Sequence, residues 1–341
     1  MDLDTLHKGR QTIVFDRHPV ILAHSAIAGK KESEGPLAGF FDHTETDTRF
    51  GQKTWEKAET RLQELALDTA RSKAQLQYSD LDVLFAGDLL NQCISSAFAI
   101  RDTRIPFLGL YGACSTMAES LTLAAAAVNA GYAARAAALT SSHFATAERQ
   151  YRFPLGYGGQ RTPTAQWTVT GSGCCIVASS GRGPYLNCAT IGRIEDYGIK
   201  DANNMGAAMA PAAYSTLRAH FADTGLRPQD YDLIVTGDLG TLGSTIVTDL
   251  FRRDGVEFGA NYRDCGVLIY DLKRQDVHAG GSGCGCGASV LCGYLLRQLR
   301  EKKINSLLFC ATGALMSPVS TWQGESIPAI CHAISISNER R

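Results

Sequence analysis

Two stretches of this sequence are near copies of each other, and a chain that repeats itself is built from two similar units. Asp82-Val-Leu-Phe-Ala-Gly-Asp-Leu89 returns as Asp232-Leu-Ile-Val-Thr-Gly-Asp-Leu239, 150 positions later. Each copy is a short apolar run ending in Gly-Asp, the pattern of a buried strand that stops at a turn. Each also follows a helix candidate and a polar turn containing tyrosine. Before the first copy, Thr54 to Gln77 carries Trp55, Ala58, Leu62, Leu65, Ala66 and Ala70 at helical spacing. After it, Leu89 to Ile100 begins another helix, and Ile105 to Leu110 reads as a buried strand. Leu121 to Ala130 is an alanine-rich helix that Gly131 caps, and Arg135 to Thr140 is the next strand. In the second copy Cys284 precedes the helix Ser289 to Arg300 and the strand Ser306 to Cys310. Cys284 lies 170 positions after Cys114, so residues have been gained between its landmarks.

The rest of the chain fits around this plan. Gln11 to Phe15 reads as a first strand, Gly29 to Gly51 as a surface loop, and Gln166 to Ser179 as β structure. Phe144 to Gln166 reads as one long polar loop in which Arg149, Arg152 and Arg161 alternate with aromatic residues. Loops of that length inside a compact domain are often functional. The closing strand, Ile327 to Ile334, is expected to pair with the segment near Cys174 to Val177. The expected fold is α/β, with halves at residues 1–180 and 181–341, each with a mixed sheet, packed around shared central helices.

Composition narrows the function classes. The formal net charge of −1 offers no field for nucleic acid or an anionic membrane. No signal peptide and no membrane span are read from the sequence. The eleven cysteines are scattered, with no C-x-x-C pair. They read as reduced thiols in a cytosol-like compartment, and no metal site or cofactor is expected.

One cysteine stands apart. Gly112-Ala-Cys-Ser-Thr116 places Cys114 at a strand-to-helix elbow, and Thr116-Met-Ala-Glu119 fits a capping box. Backbone N–H groups and the helix dipole there favour thiolate, so the pKa is expected to lie below that of a free thiol. The alternative is a small core residue.

The same residues carry a family resemblance. A duplicated core with Gly-Ala-Cys-Ser at the start of a buried helix resembles the thiolase and β-ketoacyl synthase superfamily. More closely, five segments are similar to the stage V sporulation protein AD family of endospore-forming bacteria. They are Ala86 to Gln92, Gly112 to Thr116, Thr140 to His143 continuing through Ala147 to Gln150, Met209 to Ala212, and Ala279 to Cys284. Asp264-Cys-Gly266 and Ala311 to Leu315 extend the similarity over nearly the whole chain.

The resemblance implies a thiolase-like fold, with mixed five-stranded sheets in an αβαβα layered core, and a homodimer. It also implies a part in taking up dipicolinic acid (pyridine-2,6-dicarboxylate) into the developing spore. The protein would work beside membrane proteins of the same operon, peripheral to the inner spore membrane.

Thiolase chemistry needs a proton carrier as well as a nucleophile. Where thiolases carry Gly-His-Pro-Leu-Gly-Ala-Ser, this chain has Gly283-Cys-Gly-Cys-Gly-Ala-Ser289, so Cys284 stands in the place of the histidine. The expectation is therefore a dipicolinate-binding protein and not an enzyme. The alternative is an acyl-CoA or acyl-carrier-protein condensing enzyme acting through Cys114. Dipicolinate is a planar dianion, so its site calls for forked cations, N–H donors and an aromatic surface. The candidates are Asp88, Asn91, Cys114, His143, Arg149, Arg152, Cys284 and His332. Asp88 would orient the ligand or hold calcium if the acid arrives as its calcium complex. Asp238, the counterpart of Asp88, is either on the same edge of the site or a strand-end cap.

Overall fold

The computed structural model describes residues 6–151 and 161–340. Ten strands carry the fold. They are β1 Val20–Ala28, β2 Val83–Gly87, β3 Phe107–Gly109, β4 Arg135–Ser142, β5 Gly171–Ala178, β6 Tyr185–Thr190, β7 Leu233–Thr236, β8 Tyr262–Asp264, β9 Ser306–Ala314 and β10 Ala329–Ser337. They form one sheet in the order β8-β7-β9-β10-β6-β1-β5-β4-β2-β3.

Read outward from the middle, the two sides have the same plan. On each side the inner two junctions are antiparallel and the outer two parallel. The sides meet through one antiparallel pair, Tyr185 with Val20. The copied segments 82–89 and 232–239 thus form β2 and β7, at matching places on opposite sides.

The helices complete the layers. Those that matter for the site are α1 Trp55–Lys73, α2 Ile94–Ile100, α3 Thr116–Ala130, α4 Phe144–Tyr151, α5 Met205–Thr224, α6 Gly240–Arg253 and α7 Cys284–Ser289. Helix α3 packs on β2, β4 and β5 from one side and on β9 and β10 from the other. Ala118, Ala124 and Ala125 on α3 are wholly buried. Their small side chains let a sheet lie close on either face, while Met117, Leu121 and Val128 fill the remaining space, contributing about 1.5–3 kcal/mol each. Helix α7 lies beside α3 in this middle layer, with α1 outside β1, β4 and β5, and α5 outside β9 and β10. Alternating helix and sheet layers result.

Four expectations are corrected. Strand β10 pairs with β9 and β6, not with the Cys174 segment, whose neighbours are β1 and β4. Each side keeps its own last strand within its own part of the sheet. Strand β3 is an edge strand with Leu108 exposed, so its apolar run is not buried. The loop expected from Phe144 begins as a helix, α4, whose inner face is buried. Helix α2 starts only at Ile94, because the Asp88 carboxylate accepts hydrogen bonds from Leu90 N–H, Ser96 N–H and Ser96 Oγ and holds the intervening turn. Among the described residues no helix is long and apolar enough to cross a membrane.

Candidate functional site

The end of β3 turns at Gly112 into a short 3-10 turn, Ala113–Ser115, that runs into α3. Ala113 sits at φ 49, a left-handed conformation unusual for a residue with a side chain. That twist turns Cys114 toward a narrow cleft of about 40 Å³. Leu89, Tyr111, Tyr151, Met205, Met316 and Glu148 are among its walls. Tyr111 and Tyr151 hydrogen-bond to each other through their hydroxyls, and Tyr151 also donates to the Leu89 carbonyl. Burial pushes the Tyr111 phenol up to about 12. No lysine, arginine or histidine lines the cleft among the described residues.

Directly behind Cys114 stands Asp238, at the end of β7 and almost wholly buried. It accepts hydrogen bonds from the Cys114 thiol, from Gly283 N–H at 2.9 Å and from the Thr312 hydroxyl at 2.9 Å. Burial raises the Asp238 carboxyl to about 7. Burial and the Asp238 charge push the Cys114 thiol well above its ordinary range. The expected lowering is therefore reversed. A helix N-terminus cannot offset desolvation plus an adjacent carboxylate. The capping box is absent too: the Thr116 hydroxyl donates to the Ala113 carbonyl, and one Glu119 oxygen is buried without a partner.

A matching arrangement lies on the other side of the pseudo-symmetric core. Cys284 opens α7 as Cys114 opens the elbow, and burial followed by the charges of Glu59 and Asp88 raises its thiol. Cys284 donates to the Ser141 carbonyl at 2.9 Å. Glu59 and Asp88 belong to a buried network with Gln63, Ser96, Ser141 and Thr146. Each central cysteine thus feels the strand-end aspartate of the opposite half.

The match to the stage V sporulation protein AD family model spans residues 9–337. Stage V sporulation protein AD of Bacillus subtilis (strain 168) is 47% identical over 327 residues, covering 96% of each chain. The chain belongs to the stage V sporulation protein AD family. Its fold is shared by enzymes. A 3-oxoacyl-[acyl-carrier-protein] synthase III from Aquifex aeolicus VF5 superposes with a TM-score of 0.58 at 11% identity, covering 94% of this chain and 99% of that one. A variant of OleA from Xanthomonas campestris gives 0.60 at 10% identity, covering 95% and 99%. At such identities the likeness is one of thiolase-like fold alone.

Within this family fold the candidate residues separate. Cys114 lines the cleft, and Cys284 packs beside it in one small apolar cluster with Leu89, Ala113 and Ala147. Asp88 is committed to the turn before α2. His143 is buried, with Nε2 donating to the Thr48 carbonyl at 2.7 Å and Nδ1 accepting from Ala145 N–H. Burial lowers its pKa, and it holds the 43–51 segment rather than facing the cleft. His332, on β10, accepts from Gly192 N–H at 3.2 Å and is likewise outside the cleft. Arg149 pairs with Glu56 and lies over Trp55, on a shallow outer groove that it shares with Asn91. The helical period of α4 explains this, since Glu148 points inward and Arg149, one residue on, points out. Arg152 lies outside the described residues.

The sequence reading did not single out the walls Tyr111, Glu148, Tyr151, Met205 and Met316. Tyr111 and Tyr151 were the most accessible signals, being aromatic residues directly adjoining segments that carry the resemblance.

Proposed function

We propose that this chain is a dipicolinate-binding protein of the developing spore, a thiolase-like fold that holds a small planar acid and does not condense acyl groups. One observation carries the reading. A cleft lies beside Cys114, while burial and the hydrogen-bonded Asp238 push its thiol above the ordinary range and, by the family resemblance, Cys284 stands where thiolases carry histidine. Acyl condensation calls for a reactive thiolate and a group to move protons. The two groups behind the cleft instead raise the thiol.

The apolar and aromatic walls suit a pyridine ring, and Gly283 and the elbow contribute backbone to one rim. Family membership supports the sporulation role. In this proposal the ligand is dipicolinate, free or as its calcium complex. The protein works as a homodimer, peripheral to the inner spore membrane, and passes the acid to membrane proteins of the same operon.

Isothermal titration with dipicolinate tests it. Heat of binding is expected for the native protein, and Met316→Trp, which fills the cleft, should weaken binding at least tenfold while leaving the melting temperature within a few degrees. Incubation with acetyl-CoA should add no mass to Cys114. An acetyl adduct on that thiol, or no heat at millimolar dipicolinate, would overturn the proposal.

A further inference from the structure

The cleft would receive an anion, yet the group directly behind it is an acid. Asp238 is almost wholly buried behind Cys114 and Gly283, which belong to the cleft wall, as does a second acid, Glu148. The ionisable groups that face it come from every element packed around it. They are Cys114 at the start of α3, Cys284 and Cys286 on α7, Asp264 at the end of β8, Cys265 just after it, and Cys331 on β10. All are thiols or an acid, and none is a cation. Asp264 is itself occupied, accepting from the Thr236 hydroxyl and from Leu239 and Gly240 N–H. An ionised Asp238 is therefore balanced only by three hydrogen bonds, and a second negative charge a few ångströms away raises the cost steeply in such a low-dielectric site.

We propose that the cleft takes up a planar dicarboxylate together with a proton, and that Asp238 is the residue that holds it. This rests on the binding reading above and adds how the ligand's charge is met: not by a fixed cation but by neutralising the carboxyl behind the thiol. Protonation changes no partner outright. The thiol, Gly283 N–H and Thr312 hydroxyl still surround the carboxyl, whose own O–H has Cys114 sulfur within hydrogen-bonding range as acceptor. Asp238 is thus a positioning residue for the ligand's charge and not a catalytic one. Binding then becomes proton-linked, tightening as pH falls and weakening as pH rises above the range in which the free protein's carboxyl titrates.

Calorimetric titration of the native protein with dipicolinate at pH 6.5, 7.5 and 8.5 reads this directly. At each pH it is run in two buffers of different ionisation enthalpy, whose difference counts the protons taken up. The expected result is uptake approaching one proton at the two higher values and an affinity that falls five- to tenfold between pH 7.5 and 8.5. Asp238→Asn should bind with little pH dependence and no proton uptake. The native buffer comparison stands without it should that variant fold poorly. Binding with no proton uptake and a flat affinity would overturn the proton linkage while leaving the binding site intact. No heat at any pH would overturn the binding reading itself.

Discussion

At the scale of residues, the decisive feature is a thiol at the start of a buried helix whose pKa its surroundings raise. Cys114 occupies a strained elbow at the start of a buried helix, a position that ordinarily favours thiolate. Desolvation and the Asp238 carboxyl outweigh that field, and the thiol rises instead of falling. All eleven cysteines are free and buried. In the native protein at pH 7, Ellman's reagent should label none of them within minutes, whereas unfolding in guanidinium should release all eleven. Rapid labelling of Cys114 in the native state would show that the elbow holds a thiolate after all.

At the scale of elements, the cleft depends on how closely β9 approaches the elbow. A Cβ at Gly313 would lie 2.2 Å from the Gly112 carbonyl oxygen, which is backbone and cannot swing aside. Gly313→Ala should displace the elbow, destabilise the fold by about 1–3 kcal/mol and weaken dipicolinate binding, as read by chemical denaturation and titration. Much at this scale was legible in the sequence. The repeat located β2 and β7, helical spacing located α1, and Gly-Ala-Cys-Ser located the elbow. The misreadings share one cause. Side-chain partners come from segments distant in the chain, within one half or across the two, which local pattern does not encode. His143 and Arg149 neighbour the site in sequence but turn to Thr48 and Glu56. Asp238 lies 124 positions from Cys114 and touches it. Glu59 was nearer to being legible, as a charged residue on the face of α1 that also carries Leu62, Ala66 and Ala70.

At the scale of the whole molecule, the core holds acids whose protons bind more tightly in the folded state. Burial raises Glu32 and Asp238 to about 7 and Asp264 to about 6. Each therefore adds stability that is fully present below its ordinary carboxyl value and is lost as pH rises through 6 to 7. His24, His220 and His332, lowered to about 4 by burial, act the other way. Their stability is complete above about 6.5 and is lost as pH falls toward 4. The two sets oppose each other below pH 6.5; above it the acids act first, and from about pH 8 the raised buried thiols add a loss of the same sign. Scanning calorimetry should show a melting temperature that declines between pH 6.5 and 7.5, below the range where thiols titrate, with Glu32 and Asp238 accounting for roughly 0.5–1 kcal/mol each. Asp238→Asn should flatten that decline, and a melting temperature that rises over the same range would contradict the assignment.

The same cleft links these scales, and one measurement addresses it directly: a crystal of the protein soaked with dipicolinate. An intact, non-covalent pyridine ring is expected between Tyr111 and Met316, one edge toward Cys114 and Gly283. A cleft left empty at saturating ligand, or the acid seated elsewhere on the fold, would contradict it.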